Sequence, residues 1–247
     1  ARDLQARGFA VAVFDWPGQG LSARLHKSPL AGHVRMFGVY VDAMARGLET
    51  LGRSAPKPLV ILAHSMGGAI ALEALRTRRI SVAAAAFSAP MWGLSTRFYQ
   101  RWYARSARLF GFGGAIARPP GPAENFADNQ LTHDEKRWAI QRDLIAKEPR
   151  LAIGEPTVAW VVASLNVMKA LFAPKALDHL DKLPVVVAIA SEETIVQPSA
   201  QRRLGRRLKA AKLVVIEGSR HEILMETDEL RARFWRAFDE MCKRSGV

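Results

Sequence analysis

Short apolar segments alternate with helical patterns along most of this chain, and this alternation constrains the fold more than any other feature. Five apolar runs are predicted to be strands: residues 9–14, 59–63, 80–87, 185–190 and 213–217. Apolar residues at helical spacing predict helices over residues 34–51, 66–76, 198–209 and 228–244. Strands and helices in such alternation indicate an α/β fold, a mostly parallel sheet flanked by helices on both faces.

The alternation stops between about residue 90 and residue 174, where only helical patterns occur and breakers cluster at Pro119, Pro120, Gly121 and Pro122. We therefore expect a core formed by residues 1–90 and 175–247, with a helical insertion over residues 91–174. The first residues have no initiator Met and resemble the middle of a helix. We expect the numbering to begin inside a longer protein.

The charge balance is the unusual part of the composition. The chain has 36 Lys and Arg against 23 Asp and Glu, a net charge of +13, which would attract nucleic acid or anionic lipid. No nucleic-acid-binding module is recognisable, so no nucleic-acid partner is expected. No apolar run reaches the 18 residues of a membrane-spanning helix, and Cys242 has no cysteine to pair with. We expect a cytoplasmic protein, with peripheral contact to the inner membrane face left open.

Residues 97–118 carry five arginines and no acidic residue. Four of the arginines fall at helical spacing, Arg97, Arg101, Arg105 and Arg108. Aromatic side chains are interleaved with them: Phe98, Tyr99, Trp102, Tyr103 and Phe110. This pattern is typical of a cationic amphipathic helix that rests on anionic lipid. It also fits a helix with a solvated Arg face and a buried aromatic face, which we favour.

A serine lies where a predicted strand turns into a predicted helix. Residues 63–68 read Ala-His-Ser-Met-Gly-Gly, with Ser65 at the turn. A tight turn between strand and helix exposes a serine hydroxyl, and small residues two places away prevent a clash. Ser65 is therefore the candidate nucleophile, and the amide of Met66 is the candidate oxyanion donor. In such a turn the side chain before the serine points away from it, so His64 is not expected to be its base.

A serine nucleophile requires a base, and a base requires a carboxylate that orients it. His221 follows the predicted strand 213–217, at the edge of the sheet where such folds place their sites. Glu193 follows the predicted strand 185–190 and is the candidate acid, with neighbouring Glu192 as its rival. Asp178 and Asp181 precede that strand and would lie at its wrong end.

The motifs together resemble the lysophospholipase L2 and monoacylglycerol lipase group of α/β hydrolases. Three core segments carry the resemblance, residues 14–22, 63–68 and 218–224, together with residues 129–134 and 154–157 of the insertion. The resemblance implies a serine hydrolase that cleaves carboxylic esters of lipid-like substrates through an acyl-enzyme. It also implies that the insertion is a cap that shapes an acyl pocket. No cofactor and no metal is expected.

Several points stay open from the sequence. The family pattern has Asp where this chain has Glu193, and it has a further oxyanion segment and sheet strands that we expect to precede Ala1. A hydrolase of small esters and a catalytically weak homologue that acts as a binding module are therefore alternatives.

Overall fold

The computed structural model describes residues 1–52, 55–95, 98–117 and 125–247. Within these residues, four strands form one parallel sheet in the order β1-β2-β3-β4. The strands are β1 (Val60–His64), β2 (Ala84–Ser88), β3 (Val185–Ala190) and β4 (Ala211–Ile216). His64 is in register with Ser88, and Ala190 is in register with Ile216. The carboxyl ends of neighbouring strands therefore meet along one edge of the sheet.

Eight α-helices lie in the described part of the chain. They are α1 (Arg2–Gln5), α2 (Gly38–Leu51), α3 (Ser65–Arg76), α4 (Phe98–Leu109), α5 (Glu135–Lys147), α6 (Val158–Leu171), α7 (Pro198–Gly205) and α8 (Asp228–Ser245). Helices α2, α3, α6 and α7 pack in an apolar cluster on one face of the sheet, and α8 packs on the other face. The predicted α/β architecture is confirmed.

Strand β3 shows why a parallel sheet is apolar along its whole length. Alternate side chains enter opposite clusters, Val185, Val187 and Ile189 on one face and Val186, Ala188 and Ala190 on the other. All six residues are buried because helices cover both faces. A strand of this kind has no polar alternation, so its sequence is a continuous apolar run.

The prediction of a strand over residues 9–14 is wrong. The run has no strand partner among the described residues, and Val13 is 83% exposed. A strand requires a neighbour that satisfies its backbone groups. Among the described residues β1 pairs only with β2, and the 9–14 run and β1 both line an apolar cavity of about 790 Å³ that reaches Ser65. Apolar sequence alone therefore did not produce a strand here.

Other elements differ from their predicted bounds by a few residues. The helix predicted from residue 34 begins at Gly38, because Val34 and Phe37 reach the core from the preceding loop rather than from a helical turn. The strand predicted over residues 80–87 begins four residues later and ends one residue later, at Ala84–Ser88, and the helix predicted to reach residue 209 ends at Gly205. Element type is correct in each case.

The segment between β2 and β3 contains helices α4, α5 and α6 and no described strand. Helix α4 packs on α6 through small side chains, Ala104 against Val158 and Val162. Arg97, Arg118 and the breaker cluster at residues 119–122 lie outside the described residues. Helix α5 begins at an N-cap, since the Asp134 carboxylate accepts a hydrogen bond from the Arg137 amide.

Two adjacent glycines at the start of α3 have different surroundings, and this difference yields a stability prediction. A methyl group at Gly68 would lie 2.6 Å from the Pro90 Cβ, whereas a methyl at Gly67 would meet nothing within 4 Å. Gly68→Ala is expected to lower the free energy of unfolding by about 1–3 kcal/mol through overpacking. Gly67→Ala is expected to raise it slightly, by up to about 1 kcal/mol, since alanine favours a helix. Urea unfolding of both variants measures this, and equal losses would contradict the packing account.

Candidate active site

Ser65 is held in a strained backbone conformation between β1 and α3. Its φ angle is +47°, in the left-handed region that costs energy for residues other than glycine. The Ser65 carbonyl accepts a hydrogen bond from the Met91 amide at 2.9 Å, which ties the turn to the loop after β2. A strand that stops at His64 and a helix that starts at Ser65 leave the hydroxyl at the edge of the sheet, as the sequence predicts.

His221 meets Ser65 from the loop that follows β4. Its Nε2 lies 2.9 Å from the Ser65 Oγ, and its Nδ1 lies 2.6 Å from Glu193 Oε2. The carboxylate accepts only, so Nδ1 carries the hydrogen and Nε2 is left as the acceptor for the serine hydroxyl. The structure thus brings together the three residues that the sequence singled out, in one hydrogen-bonded chain.

The Glu193 carboxylate is fixed at both oxygens. Oε1 accepts hydrogen bonds from the amides of Ile195 and Val196, at 2.8 and 3.2 Å, while Oε2 accepts from His221. Burial by itself would raise the pKa of Glu193, but the His221 ring and the two amides outweigh it, so the pKa is lowered. The group is therefore an anion that faces the imidazole.

The rival carboxylates lie elsewhere. Glu192 is 52% exposed, and its carboxylate lies 3.3 Å from His133 Nε2 rather than at His221. Adjacent residues after a strand point to opposite sides, so only one of the two glutamates reaches the imidazole. Asp181 forms an ion pair with Lys209, and Asp178 lies in the short helical turn before β3.

Backbone contacts join the loops that carry Glu193 and His221. The Glu192 amide donates to the Ser219 carbonyl at 2.9 Å, and the Gly218 amide donates to the Ser191 Oγ at 2.8 Å. Because β3 and β4 are neighbours in the sheet, residues 28 positions apart in sequence leave the sheet side by side. The Glu193–His221 contact is therefore a consequence of strand order.

Met66 lies in the first turn of α3, where amides have no acceptor within the helix. The positive end of the helix dipole adds to the attraction of negative charge at this point. Its side chain is also held, since the Met66 Sδ accepts from Gln19 Nε2 at 3.6 Å. The sequence motif around Gln19 thus contacts the turn that carries the serine.

The His64 side chain packs against His221 and bonds to the Ser88 carbonyl. Its ring lies 4.8 Å from the ring of His221, and its Nδ1 donates to the Ser88 carbonyl at 3.0 Å. The register of β1 with β2 places the imidazole beside that carbonyl. Burial, followed by the neighbouring His221, lowers the pKa of His64 to about 3. His64 is thus a neutral ring packed against His221 at ordinary pH.

Two residues beside the site were missed from the sequence. Glu226 is fully buried, and His133 donates to it from the segment before α5. Residues 129–134 stood out in the sequence only as a family motif, and Glu226 resembles an ordinary acidic residue before a helix. A glutamate within the largely apolar stretch 223–226 is the signal that could have marked it.

Known proteins resemble this chain in sequence and in fold. The family described as serine aminopeptidase, S33, matches residues 1–228. Lysophospholipase L2 of Escherichia coli K12 is 34% identical over 246 residues, covering 94% of this chain and 72% of that protein. The probable lysophospholipase L2 of Haemophilus influenzae is 30% identical over 236 residues, covering 94% and 74%. The monoacylglycerol lipase structure of Paleococcus ferrophilus has a TM-score of 0.73 at 20% identity, covering 98% of this chain and 86% of that one.

The chain belongs to the serine aminopeptidase S33 family, whose match spans most of its length. Within that family it groups with the lysophospholipase L2 proteins. The predicted resemblance, the α/β-hydrolase fold and the enzyme class, a carboxylic ester hydrolase, are confirmed.

The lowered pKa of His64 predicts a change of stability with pH. An unfolded histidine titrates near 6.5 and the folded His64 near 3, so the unfolded state binds more protons between these values. The stability contributed by the neutral His64 ring is fully present above about pH 6.5 and is lost as the pH falls toward about 3. From about pH 6 to about pH 4, wild type should lose about 2–3 kcal/mol more than His64→Asn, which keeps a donor for Ser88.

Urea unfolding at the two pH values measures this difference. His26→Asn, at a histidine whose ring lies beside His33, serves as the control and should follow wild type. The same pH dependence in wild type and His64→Asn would show that His64 is not held neutral by its surroundings.

Proposed function

We propose that Ser65, His221 and Glu193 form the catalytic triad of an enzyme that hydrolyses esters of lipid-like substrates, lysophospholipids or monoacylglycerols. The observation that carries the proposal is the hydrogen-bonded chain from Ser65 Oγ through His221 to the buried Glu193. The substrate class is supported by the lysophospholipase L2 relatives. The Glu193 contact supports an enzyme rather than a binding module, since an oriented imidazole is what serine activation requires.

In this mechanism Ser65 Oγ attacks the ester carbonyl carbon while its proton passes to His221 Nε2. Glu193 stabilises the imidazolium through Nδ1–H. The tetrahedral intermediate collapses as His221 returns the proton to the leaving alcohol oxygen, and the acyl group stays on Ser65. Water, activated by the same histidine, then attacks the acyl-enzyme and releases the fatty acid.

Met66 has a second role in the proposal, as an oxyanion donor. The negative charge that develops on the carbonyl oxygen must be met by donors that already point at it. The Met66 amide follows the nucleophile directly and lies at the positive end of α3. An oxyanion formed at Ser65 is therefore adjacent to this amide.

Residues 91–174 are proposed to act as a cap over the core, which comprises residues 1–90 and 175–247. The cap contacts the catalytic loop directly, since Leu94 forms an antiparallel bridge with Val196, three residues after Glu193. The Thr157 amide, at the start of α6, donates to the Gly32 carbonyl at 2.8 Å and provides a second contact between the cap and the core. An acyl chain that reaches Ser65 would pass beneath these elements.

Ser65→Ala should abolish hydrolysis while folding is retained. We expect the turnover of monoacylglycerol and lysophospholipid to fall by about 10⁴-fold or more, and labelling by a fluorophosphonate probe to disappear. Ser245→Ala, in which a hydroxyl that bonds to the Met241 carbonyl is removed, is the matched control and should label fully. Parental activity in Ser65→Ala would refute the triad.

Comparison of substrates in the same assay separates the lipid proposal from the small-ester alternative. Long-chain monoacyl lipids should have the higher kcat/KM, because a cap provides apolar surface along the chain. Acetate esters turned over equally well or better would favour a small-ester hydrolase. A chain that binds these lipids and hydrolyses none of them would be a binding module.

Glu193→Gln should lower kcat far more than Glu192→Gln. The amide cannot stabilise the imidazolium, so a loss on the order of 10³- to 10⁴-fold is expected at position 193. Glu192 faces His133 and solvent, so its substitution should cost less than about tenfold. Steady-state kinetics with a p-nitrophenyl ester measures both, and a larger loss at position 192 would reverse the assignment.

Contact with an anionic membrane is proposed for the surface around α4. This α4 surface consists of exposed side chains on and just after the helix: Trp102, Tyr103, Arg105, Leu109, Phe110 and Phe112. The described aromatic side chains of this surface are exposed, contrary to the buried aromatic face that the sequence favoured, because α4 uses Ala104 and Ala107 to pack on its neighbours. The side chains of Phe98, Tyr99 and Arg101 lie outside the described residues. Trp102 is 74% and Phe110 is 75% exposed.

Exposed aromatics beside arginine are suited to the headgroup region of a bilayer. The net charge of +13 adds attraction to anionic lipid. None of the described helices is long and apolar enough to cross a membrane. We propose that the protein is cytoplasmic and binds the inner face of a membrane peripherally through the α4 surface.

Sedimentation with vesicles tests this contact. Binding to phosphatidylglycerol-rich vesicles should exceed binding to pure phosphatidylcholine and should weaken with salt. The double substitution of Trp102 and Phe110 by Ser should reduce the bound fraction at least about fivefold. Leu21→Ser, at a side chain 57% exposed on the core, is the control and should bind as wild type. Equal binding by all three proteins would exclude the α4 surface.

A further inference from the structure

A buried carboxylate lies at the far end of the loop that carries His221. Glu226 is 0% exposed, and both of its oxygens accept hydrogen bonds. Oε1 accepts from the Arg220 amide at 2.8 Å and from His133 Nδ1 at 2.9 Å, while Oε2 accepts from the His133 amide at 3.0 Å. The Arg220 amide belongs to the residue directly before the proposed base. Glu226 therefore fixes the backbone of the His221 loop through the Arg220 amide.

His133, the partner of Glu226, belongs to a six-residue strap in the proposed cap, residues 129–134. The Glu222 amide donates to the Leu131 carbonyl at 2.8 Å, and the Arg220 guanidinium donates to the carbonyls of Asn129 and Thr132, at 3.0 and 3.2 Å. The strap thus contacts the backbone immediately after His221 and the side chain immediately before it.

The same strap also contacts the loop that carries Glu193. The Thr194 hydroxyl donates to Gln130 Oε1 at 2.8 Å, directly after the proposed acid. The strap is therefore bonded to residues adjacent to both partners of the nucleophile. Because α5 begins right after it, the strap connects the helices of the cap with the two catalytic loops.

We propose that Glu226 and His133 are positioning residues that lock the His221 loop onto the cap strap, so that the imidazole keeps its place between Ser65 and Glu193. This inference rests on the proposed function. Neither residue reaches Ser65, so each acts through the loop rather than on the substrate. A displacement of about 1 Å in a catalytic group costs on the order of 100-fold in rate, which gives such a lock a measurable effect.

The chemistry of the contacts requires a carboxylate at position 226. The nearest partners of both oxygens are N–H donors, joined by the Thr132 hydroxyl at 3.5 Å from Oε2, and a carboxylate has only acceptors to offer. In Glu226→Gln the amide nitrogen would face one of these donors, leaving two buried N–H groups in opposition. The side-chain volume is unchanged, so the substitution tests the hydrogen bonds rather than the packing.

The experiment compares Glu226→Gln with Glu73→Gln in the full chain. Glu73 is also a well-shielded carboxylate, paired with Arg76 on α3, away from the strap. Both substitutions should lower the free energy of unfolding. Only Glu226→Gln is expected to lower kcat, by about 30- to 100-fold, with KM for a p-nitrophenyl ester nearly unchanged. It should also weaken the downfield proton resonance of the His221 Nδ1–H bond to Glu193, which Glu73→Gln should retain.

A pair of substitutions at His133 provides the rescue test. Asn presents a side-chain N–H where His133 has Nδ1–H, so His133→Asn should keep the bond to Glu226 and most of kcat. His133→Ala removes the donor and should reproduce the kcat loss of Glu226→Gln. A role in stability alone would lower kcat in none of these variants at temperatures where they are folded.

The possible outcomes separate this inference from the function on which it rests. An active, probe-labelled wild type with parental kcat in Glu226→Gln and His133→Ala would overturn the positioning role and leave the triad intact. Equal kcat losses in Glu73→Gln and Glu226→Gln would also overturn it. A wild-type chain that neither labels nor hydrolyses esters would overturn the proposed function itself.

Discussion

The hydrogen bond between Glu193 and His221 is the interaction on which the rest of the site depends. This bond holds the hydrogen on Nδ1 and leaves Nε2 facing the Ser65 hydroxyl. Without the carboxylate, nothing in the site would favour that tautomer of the imidazole. The bond exists because β3 and β4 are neighbours and their following loops are joined by backbone hydrogen bonds. The charge of Glu193 is retained despite burial, since the His221 ring and two amides offset desolvation. Sheet order and local electrostatics together produce the site.

Ser65 depends on a different constraint, the abrupt change from strand to helix. Its positive φ is tolerated because the buried core on both sides of the turn leaves the backbone no alternative. Close approach of α3 to the loop after β2 requires a glycine at position 68. The neutral ring of His64 packs against the ring of His221. The position of the Ser65 hydroxyl therefore depends on the strand-to-helix turn, on Gly68 and on the packing of His64.

Much of this arrangement could be predicted from sequence, because apolar runs and helical spacing report burial directly. Strand β3 was predicted with its observed bounds, as buried parallel strands have no other pattern. The run 9–14 shows the limit, since pairing depends on a neighbour that local sequence does not specify. His64 and Glu226 show a second limit of prediction from sequence, because the partners of a side chain come from distant segments. His64 bonds to Ser88, and Glu226 accepts from His133. The exposed aromatic side chains on α4 also depended on tertiary packing.

The central claim is that Ser65 becomes acylated during turnover by the imidazole that Glu193 holds. Acid quenching of the enzyme during hydrolysis of a slow monoacyl ester, followed by peptide mapping with mass spectrometry, measures this directly. The account predicts one acyl group on the peptide that contains Ser65, at a level that falls once the substrate is consumed. An acyl group on another residue, or hydrolysis with no acylated peptide at any time, would contradict it.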